Sequence, residues 1–184
     1  MIRLFLSLCL ATLLAGCATT PPANTLDAVD ADTLQRFLDR EAIEQTLSRA
    51  NLGFELSDPE LFASAFAEEA VYELDADELP AYGYSQLIYN GRSEIRRIID
   101  DRLEQQANAD PATLSYEPDS LRRYNRNSNS YITIIDEDRA RHISNWMVTM
   151  KTNVDIHISA IGRYEDELVK RDGEWLILRR VRTE

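Results

Sequence analysis

The last third of the chain sets the strongest constraint on its fold. From residue 130 onward, long stretches rich in β-branched and aromatic residues alternate with short turn signals. Residues 130–135 (SYITII) end at Asp136-Glu137-Asp138, and residues 139–151 end at Thr152-Asn153. Residues 155–170 end at Arg171-Asp172-Gly173-Glu174, before a last strand over 175–182. An Asp-Gly pair between two alternating segments is a hairpin signal. Long strands joined by such short turns run antiparallel, because a parallel return needs a crossover of about a dozen residues.

The first half carries a helical period instead. Over residues 32–55, Ile43, Leu47, Ala50 and Phe54 recur on one helical face, after an earlier apolar stripe of Leu34, Phe37 and Leu38. Asp39 is placed to cap a fresh start between the two stripes. Ser57-Asp58-Pro59-Glu60 supplies a cap, a first-turn proline and an acid, and starts a short helix through Phe66. Residues 70–74 (AVYEL) alternate as a strand, and residues 75–91 read as irregular. Asn90-Gly91-Arg92-Ser93-Glu94 opens a third helix with Ile95, Ile98, Ile99 and Leu103 on one side, and residues 108–130 read as a long polar connection. Helices first and strands after is an α+β layout, with helices covering one face of a curved, mainly antiparallel sheet.

The extreme N-terminus reads as an address rather than as fold. Met1-Ile2-Arg3 is a short positive start, and residues 4–15 are apolar apart from Ser7 and Thr12. That run is roughly half of the ~20 residues a spanning helix needs, and it matches a signal-peptide core. It ends in Leu14-Ala15-Gly16-Cys17, which resembles the lipobox of bacterial lipoproteins, where the cysteine is lipidated and becomes the first residue. The expected organisation is a signal peptide over 1–16, a lipidated Cys17 with a tether to residue 31, and one domain over 32–184. Ala18, not Asp, follows the cysteine, which by the same resemblance implies the outer membrane and a domain facing the periplasm.

Cleavage takes 16 of the 184 residues and leaves 168. Cys9 departs with the signal and Cys17 is acylated, so the mature chain has no free thiol for a nucleophile, a thiolate metal site or a disulfide. The formal charge is −12, and −13 once Arg3 is lost. A phosphate-tracking surface needs concentrated Lys and Arg, so no nucleic-acid partner is expected.

Three segments of the domain carry a family resemblance. One is Phe54-Glu55-Leu56-Ser57-Asp58 followed by LFASAFAEEAVYE, and the second is Gly91-Arg92-Ser93-Glu94-Ile95. The third is Gly162-Arg163-Tyr164-Glu165-Asp166-Glu167-Leu168-Val169, with Arg171-Asp172-Gly173-Glu174-Trp175 and Arg179-Arg180-Val181 after it. In this order and spacing they resemble the SnoaL-like branch of the nuclear transport factor 2-like superfamily, across about residues 36–182. The resemblance implies a cone-shaped α+β barrel: three N-terminal helices packed in a strongly curved, mainly antiparallel sheet around an apolar pocket. Its members include polyketide cyclases, ketosteroid isomerases and scytalone dehydratases, while others only bind a ligand. The expectation is a small, largely apolar ligand in the cone. Cofactor-free isomerase, dehydratase or cyclase chemistry is one use of that pocket, and non-catalytic binding or sensing is another. A homodimer formed through the outer sheet face is a third reading, since fold alone does not decide function.

The chemistry-bearing positions follow from this resemblance and from the strand alternation. Glu55 ends the first helix, where dehydratase-like members place an acid that works with a histidine. A carboxylate at the mouth of an apolar pocket is suited to proton transfer near neutral pH, whereas a solvated helix-end acid is not. The family's histidine has no counterpart in Arg122-Arg123-Tyr124-Asn125-Arg126-Asn127; Asn127, give or take a residue, stands in its place. Asparagine holds a carbonyl but does not shuttle a proton. His142 shares a face with Ser144, Trp146, Val148 and Met150 and is the candidate substitute base, with Asn145 on the opposite face. The remaining histidine, His157, alternates with Ser159 and Ile161. By resemblance Tyr164 lines the cavity, sharing its face with Ala160, Gly162 and Asp166, and Tyr72 and Leu74 are wall residues. A structural role is the alternative for each. Two lone histidines without Cys or a tight acid cluster fall short of metal-ligand spacing, so no metal is expected. No phosphate loop, dinucleotide fingerprint or nucleophile elbow is present, so no cofactor is expected either.

Overall fold

In a computed structural model of the chain, residues 30–75, 85–108, 122–151 and 155–184 are described. The expected signal peptide, Cys17 and most of the tether lie outside these residues, as does the Thr152-Asn153 turn. No helix among the described residues is long and apolar enough to cross a membrane.

Helix α1 (Ala31–Leu56) starts where Asp30 accepts a hydrogen bond from the Thr33 amide at 2.8 Å. It runs unbroken through Asp39, so the expected fresh start there does not occur. The Asp39 carboxylate is used across the fold instead, accepting from Lys170 Nζ at 2.6 Å and from Trp175 Nε1 at 2.9 Å. Ile43, Leu47 and Ala50 are buried as expected. Leu34, Phe37 and Leu38 are not part of the core and stand 50–66% exposed. Helix α2 (Pro59–Ala63) is capped by Asp58 and stops short of Phe66, which instead begins strand β1 (Phe66–Leu74). Gly53 sits where α1 meets α2, and a Cβ there would lie 2.3 Å from the backbone nitrogen of Phe62.

A short strand β2 (Ile88–Asn90) occurs inside the stretch that reads as irregular, and Gly91, at φ 81°, turns the chain into α3 (Arg92–Asn108). The larger correction is β3 (Arg122–Ile134), which begins well before residue 130 and takes in the last part of the supposed polar connection, residues 122–130. Its inward positions are asparagines, so the apolar alternation that marks a strand is missing there. Strands β4 (Arg139–Lys151), β5 (Ile156–Arg171) and β6 (Glu174–Thr183) follow as a meander. The β5–β6 turn has Asp172 and Gly173 both at positive φ, 51° and 84°, as a two-residue type I′ hairpin requires.

The six strands form one sheet in the order β2-β1-β6-β5-β4-β3. Only β1 with β6 is parallel, and the sheet stays open between β2 and β3. Helix α1 packs on β3 and β6, α3 packs on β1 and β2, and α2 bridges the two helices. The main core joins Ile43, Phe62, Phe66, Ile95, Ile99, Trp175 and Ile177, each at most 1% exposed. Each such side chain contributes roughly 1.5–3 kcal/mol by leaving water.

Candidate functional site

Register lines up the helix-facing side chains in rows across the sheet. One row crosses every strand: Tyr89, Tyr72, Arg180, Asp166, His142 and Ile132, from β2 to β3. All six are at most 5% exposed. The next row is Leu74, Arg182, Tyr164 and Ser144, again all buried. Beyond it come Gly162, Trp146 and Asn127, then Ala160, Val148 and Asn125. Apolar residues at one end of these rows join the main core, while Trp146, Val148, Ala160 and Tyr164 make a separate cluster. Between the two lies a buried polar layer, and buried polar groups demand partners.

The first row satisfies that demand. Arg180 donates to both oxygens of Asp166, from Nε at 2.7 Å and from Nη2 at 2.9 Å. His142 Nδ1 lies 2.8 Å from Asp166 Oδ2, and His142 Nε2 lies 3.1 Å from Ser130 Oγ. Burial pushes the Asp166 carboxyl up, but the Arg180 charge and the hydrogen bonds from His142 and Arg180 outweigh it and hold it below the usual carboxylate range. The same pairing, opposed by burial, raises Arg180 above the ordinary guanidinium value. Arg180 also sits 4.3 Å over the Tyr164 ring and 5.7 Å from that of Phe66. Arg182 stacks on Trp146 at 3.9 Å, and Trp146 tilts against Tyr164 at 6.0 Å.

The later rows do not satisfy it. Among the described residues, Asn125 Oδ1, Asn127 Oδ1, Ser144 Oγ and Trp146 Nε1 are buried with no hydrogen-bond partner, and so is Asn51 Oδ1 on α1. Buried side-chain polar atoms are paired in the large majority of cases, so a cluster of exceptions asks for an explanation. The four sheet atoms stand on adjacent positions of β3 and β4, since Asn127 pairs with Trp146 and Asn125 with Val148.

The fold therefore brings Tyr72, Asn127, His142, Tyr164 and Asp166 to one face. Glu55 lies half-buried in the last turn of α1, one turn beyond Asn51 and on the same side of the helix. Both ring nitrogens of His142 are engaged elsewhere, so no hydrogen bond joins it to Glu55. Asp166 likewise spends both oxygens inside the fold. His157 is exposed and pairs with Asp155 at 3.4 Å, and Asn145 faces outward. Sequence reasoning missed Arg180, Arg182, Asn125 and Ser130. The alternation of Arg180 and Arg182 with Val181 on the last strand carried the signal for the first two.

The opposite face of the sheet holds a depression of about 580 Å³, floored by Gly162 and flanked by Asn145, Met147, Ile161 and Arg163.

Comparison with known proteins bears on the fold. Among curated proteins, none matches the chain. A single-substitution variant of a protein of unknown function from Mycobacterium tuberculosis superposes with a TM-score of 0.62 at 23% identity, covering 84% of this chain and 76% of the other. A candidate scytalone dehydratase from Novosphingobium aromaticivorans gives 0.57 at 21%, covering 82% and 86%. LinA gives 0.61 at 14%, covering 81% and 87%. At these identities the likeness is one of fold. The family model described as a SnoaL-like domain matches residues 35–181, and with the helix-lined open sheet this makes the chain a member of the SnoaL-like family.

Proposed function

We propose that this protein is a lipid-anchored ligand-binding protein of the bacterial envelope. Its domain takes a small, largely apolar molecule carrying hydroxyl or carbonyl groups against the helix-facing side of the sheet. The unpartnered cluster of Asn125, Asn127, Ser144 and Trp146 carries this reading. An indole N–H only donates, a hydroxyl does both, and an amide oxygen accepts, so the cluster offers both senses of hydrogen bond at once. Aromatic and apolar neighbours Tyr164, Val148 and Ala160 fit the body of such a ligand. Glu55, on the same side of α1 as the unpartnered Asn51, is the group for cofactor-free proton transfer in a lyase or isomerase step.

A fluorescent naphthol, flat and apolar with one hydroxyl, tests the binding. It should quench tryptophan emission, and Trp146→Phe with Ser144→Ala should weaken its binding about tenfold or more. Unchanged affinity in the double variant removes the reading. Glu55→Gln should keep binding and abolish turnover; retained turnover removes the acid-base role. For the anchor, Cys17→Ala should move the protein from the outer-membrane fraction into the soluble periplasm, and an unchanged distribution refutes it.

A second reading rests on the outer sheet face. Ile143, Ile158 and Ile161 stand 44–61% exposed there, with Tyr131 at 68%. The charges on the same face are already paired within the chain, Arg163 with Glu165 and Arg179 with Glu73, which leaves the apolar side chains to carry a contact with a two-fold copy. Ile161→Lys should then convert a dimer into a monomer in sedimentation; a wild-type monomer excludes this surface.

A further inference from the structure

Ser130 occupies an irregular place on the edge strand. The β3–β4 register slips between Ser128 and Tyr131, so that Asn129 and Ser130 have no partner residue on β4. Asn129 takes a left-handed backbone, φ 54°. Such bulges re-aim a side chain and leave backbone groups outside the ladder. Here the side chain is brought to His142 while Ser130 itself stays exposed to solvent. The hydroxyl thus joins an accessible surface to the fully buried His142–Asp166–Arg180 row.

The direction of each bond follows from Asp166. Two bonds from Arg180 keep its carboxylate ionised, so it only accepts. His142 Nδ1 must then donate to Asp166 Oδ2, so that in the neutral form of the ring the lone pair is on Nε2. That lone pair faces Ser130 Oγ at 3.1 Å, so the serine hydroxyl donates to it. A hydroxyl bonded to a base, with the base oriented by a buried carboxylate, is the arrangement of an activated nucleophile, recognised by geometry and not by chain order.

We propose that Ser130, His142 and Asp166 form a nucleophilic triad that cleaves small, uncharged carboxylic esters. The Ser130 Oγ attacks the acyl carbon while His142 Nε2 takes its proton. The acyl–oxygen bond to the alcohol breaks, the alcohol leaves with that proton, and an acyl-serine remains. Water then attacks the acyl carbon, gives a proton to His142 Nε2 and releases the carboxylic acid, and Ser130 recovers its hydrogen. No electrons are exchanged and water is the one co-reactant. The bulge sets Asn129 and Ser130 out of register with β4, at the place in the chain next to the nucleophile. Arg180 is a positioning residue, acting through Asp166. This activity is separate from the ligand cluster and stands or falls without it.

The test uses the full wild-type chain with a fluorophosphonate probe and with p-nitrophenyl acetate. The expected result is a single phosphonyl adduct, formed with loss of fluoride, on the peptide containing Ser130, together with a one-equivalent burst of p-nitrophenolate. No adduct on that peptide overturns the proposal, and this result needs no variant to fold. Ser130→Ala, an exposed change, should lower ester turnover by about 100-fold or more; turnover within twofold of wild type overturns it too. Ser130→Cys gives an independent arm. Its thiol should alkylate with iodoacetamide at least tenfold faster than free cysteine at pH 6.5, because His142 draws off the proton. An ordinary rate there counts equally against the triad.

Discussion

Arg180 holds Asp166 by both carboxylate oxygens, at 2.7 and 2.9 Å, at a point in the sheet where neither side chain exceeds 2% exposure. A pair this deeply buried is asymmetric in its energetics. Removing one partner strands a charge in the interior, at a cost of about 3–5 kcal/mol, whereas replacing both by apolar groups of similar size is often near neutral. Arg180→Met should therefore destabilise the protein by about 3–5 kcal/mol in urea unfolding. The double change Arg180→Met with Asp166→Leu should recover only part of it, because the buried Nδ1–H of His142 then loses its acceptor. A single variant costing under about 1 kcal/mol would mean that water or another group reaches Asp166.

Acid should unfold the protein through two buried aspartates, Asp39 and Asp166. In Asp39, burial pushes the carboxyl up, but hydrogen bonds from Lys170 and Trp175 prevail and hold it low. Asp166 is held low in the same sense by Arg180 and His142. Unfolded aspartates titrate near about 3.9, so on acidification the unfolded chain takes up these protons first. The stabilisation is complete above about pH 5 and is lost as pH falls through the folded values. Urea midpoints between pH 3 and pH 7 should drop on the acid side. Asp39→Asn should be less stable at pH 7 yet flatter below pH 5. A parallel acid limb in that variant would remove Asp39 from the account.

Unpartnered polar atoms make the helix-facing side costly without a ligand. Ser144 is 1% exposed and its hydroxyl has no partner, so it bears a desolvation cost of about 1–3 kcal/mol that alanine lacks. Ser144→Ala should raise the thermal midpoint of the ligand-free protein by a few degrees. A lower midpoint would mean that the hydroxyl is paired, by an ordered water, and that the cluster is already satisfied.

Much of this face is legible in the sequence. Period-two alternation on β4 and β5 puts His142, Ser144 and Trp146 on one side and Tyr164 with Asp166 on the matching side, and the structure has them there. The Asp-Gly hairpin and the Asp58-Pro59 helix start are equally clear, because each depends on local backbone chemistry. What escapes depends on distant partners. Asp39 looks like a break in an apolar stripe, but its partners are Lys170 and Trp175, far along the chain. Strand β3 is hidden because its inward residues are Asn125 and Asn127, and the pattern that reveals a strand assumes apolar ones. Arg180 and Arg182 have no site role in the sequence reading, because only register sets them opposite Asp166 and Tyr164.

Two glycines separate steric need from backbone need. At Gly53 an added Cβ meets the Phe62 nitrogen at 2.3 Å and its Cα at 2.5 Å, both backbone atoms that cannot swing aside. Alanine in a helix interior is ordinarily better than glycine by about 1 kcal/mol. The clash outweighs that gain, because α1 and α2 must move apart and loosen the Phe54–Phe62 ring contact between them. Gly53→Ala should lose about 2–3 kcal/mol net. Gly173 has nothing within 4 Å of its would-be Cβ, but its φ of +84° is left-handed. Gly173→Ala should cost only about 1–2 kcal/mol, all of it local to the β5–β6 turn. Thermal unfolding ranks the two, and near-ultraviolet circular dichroism should change for Gly53→Ala alone. Equal losses with unchanged aromatic signals would show that the α1–α2 contact yields more easily than its backbone distances imply.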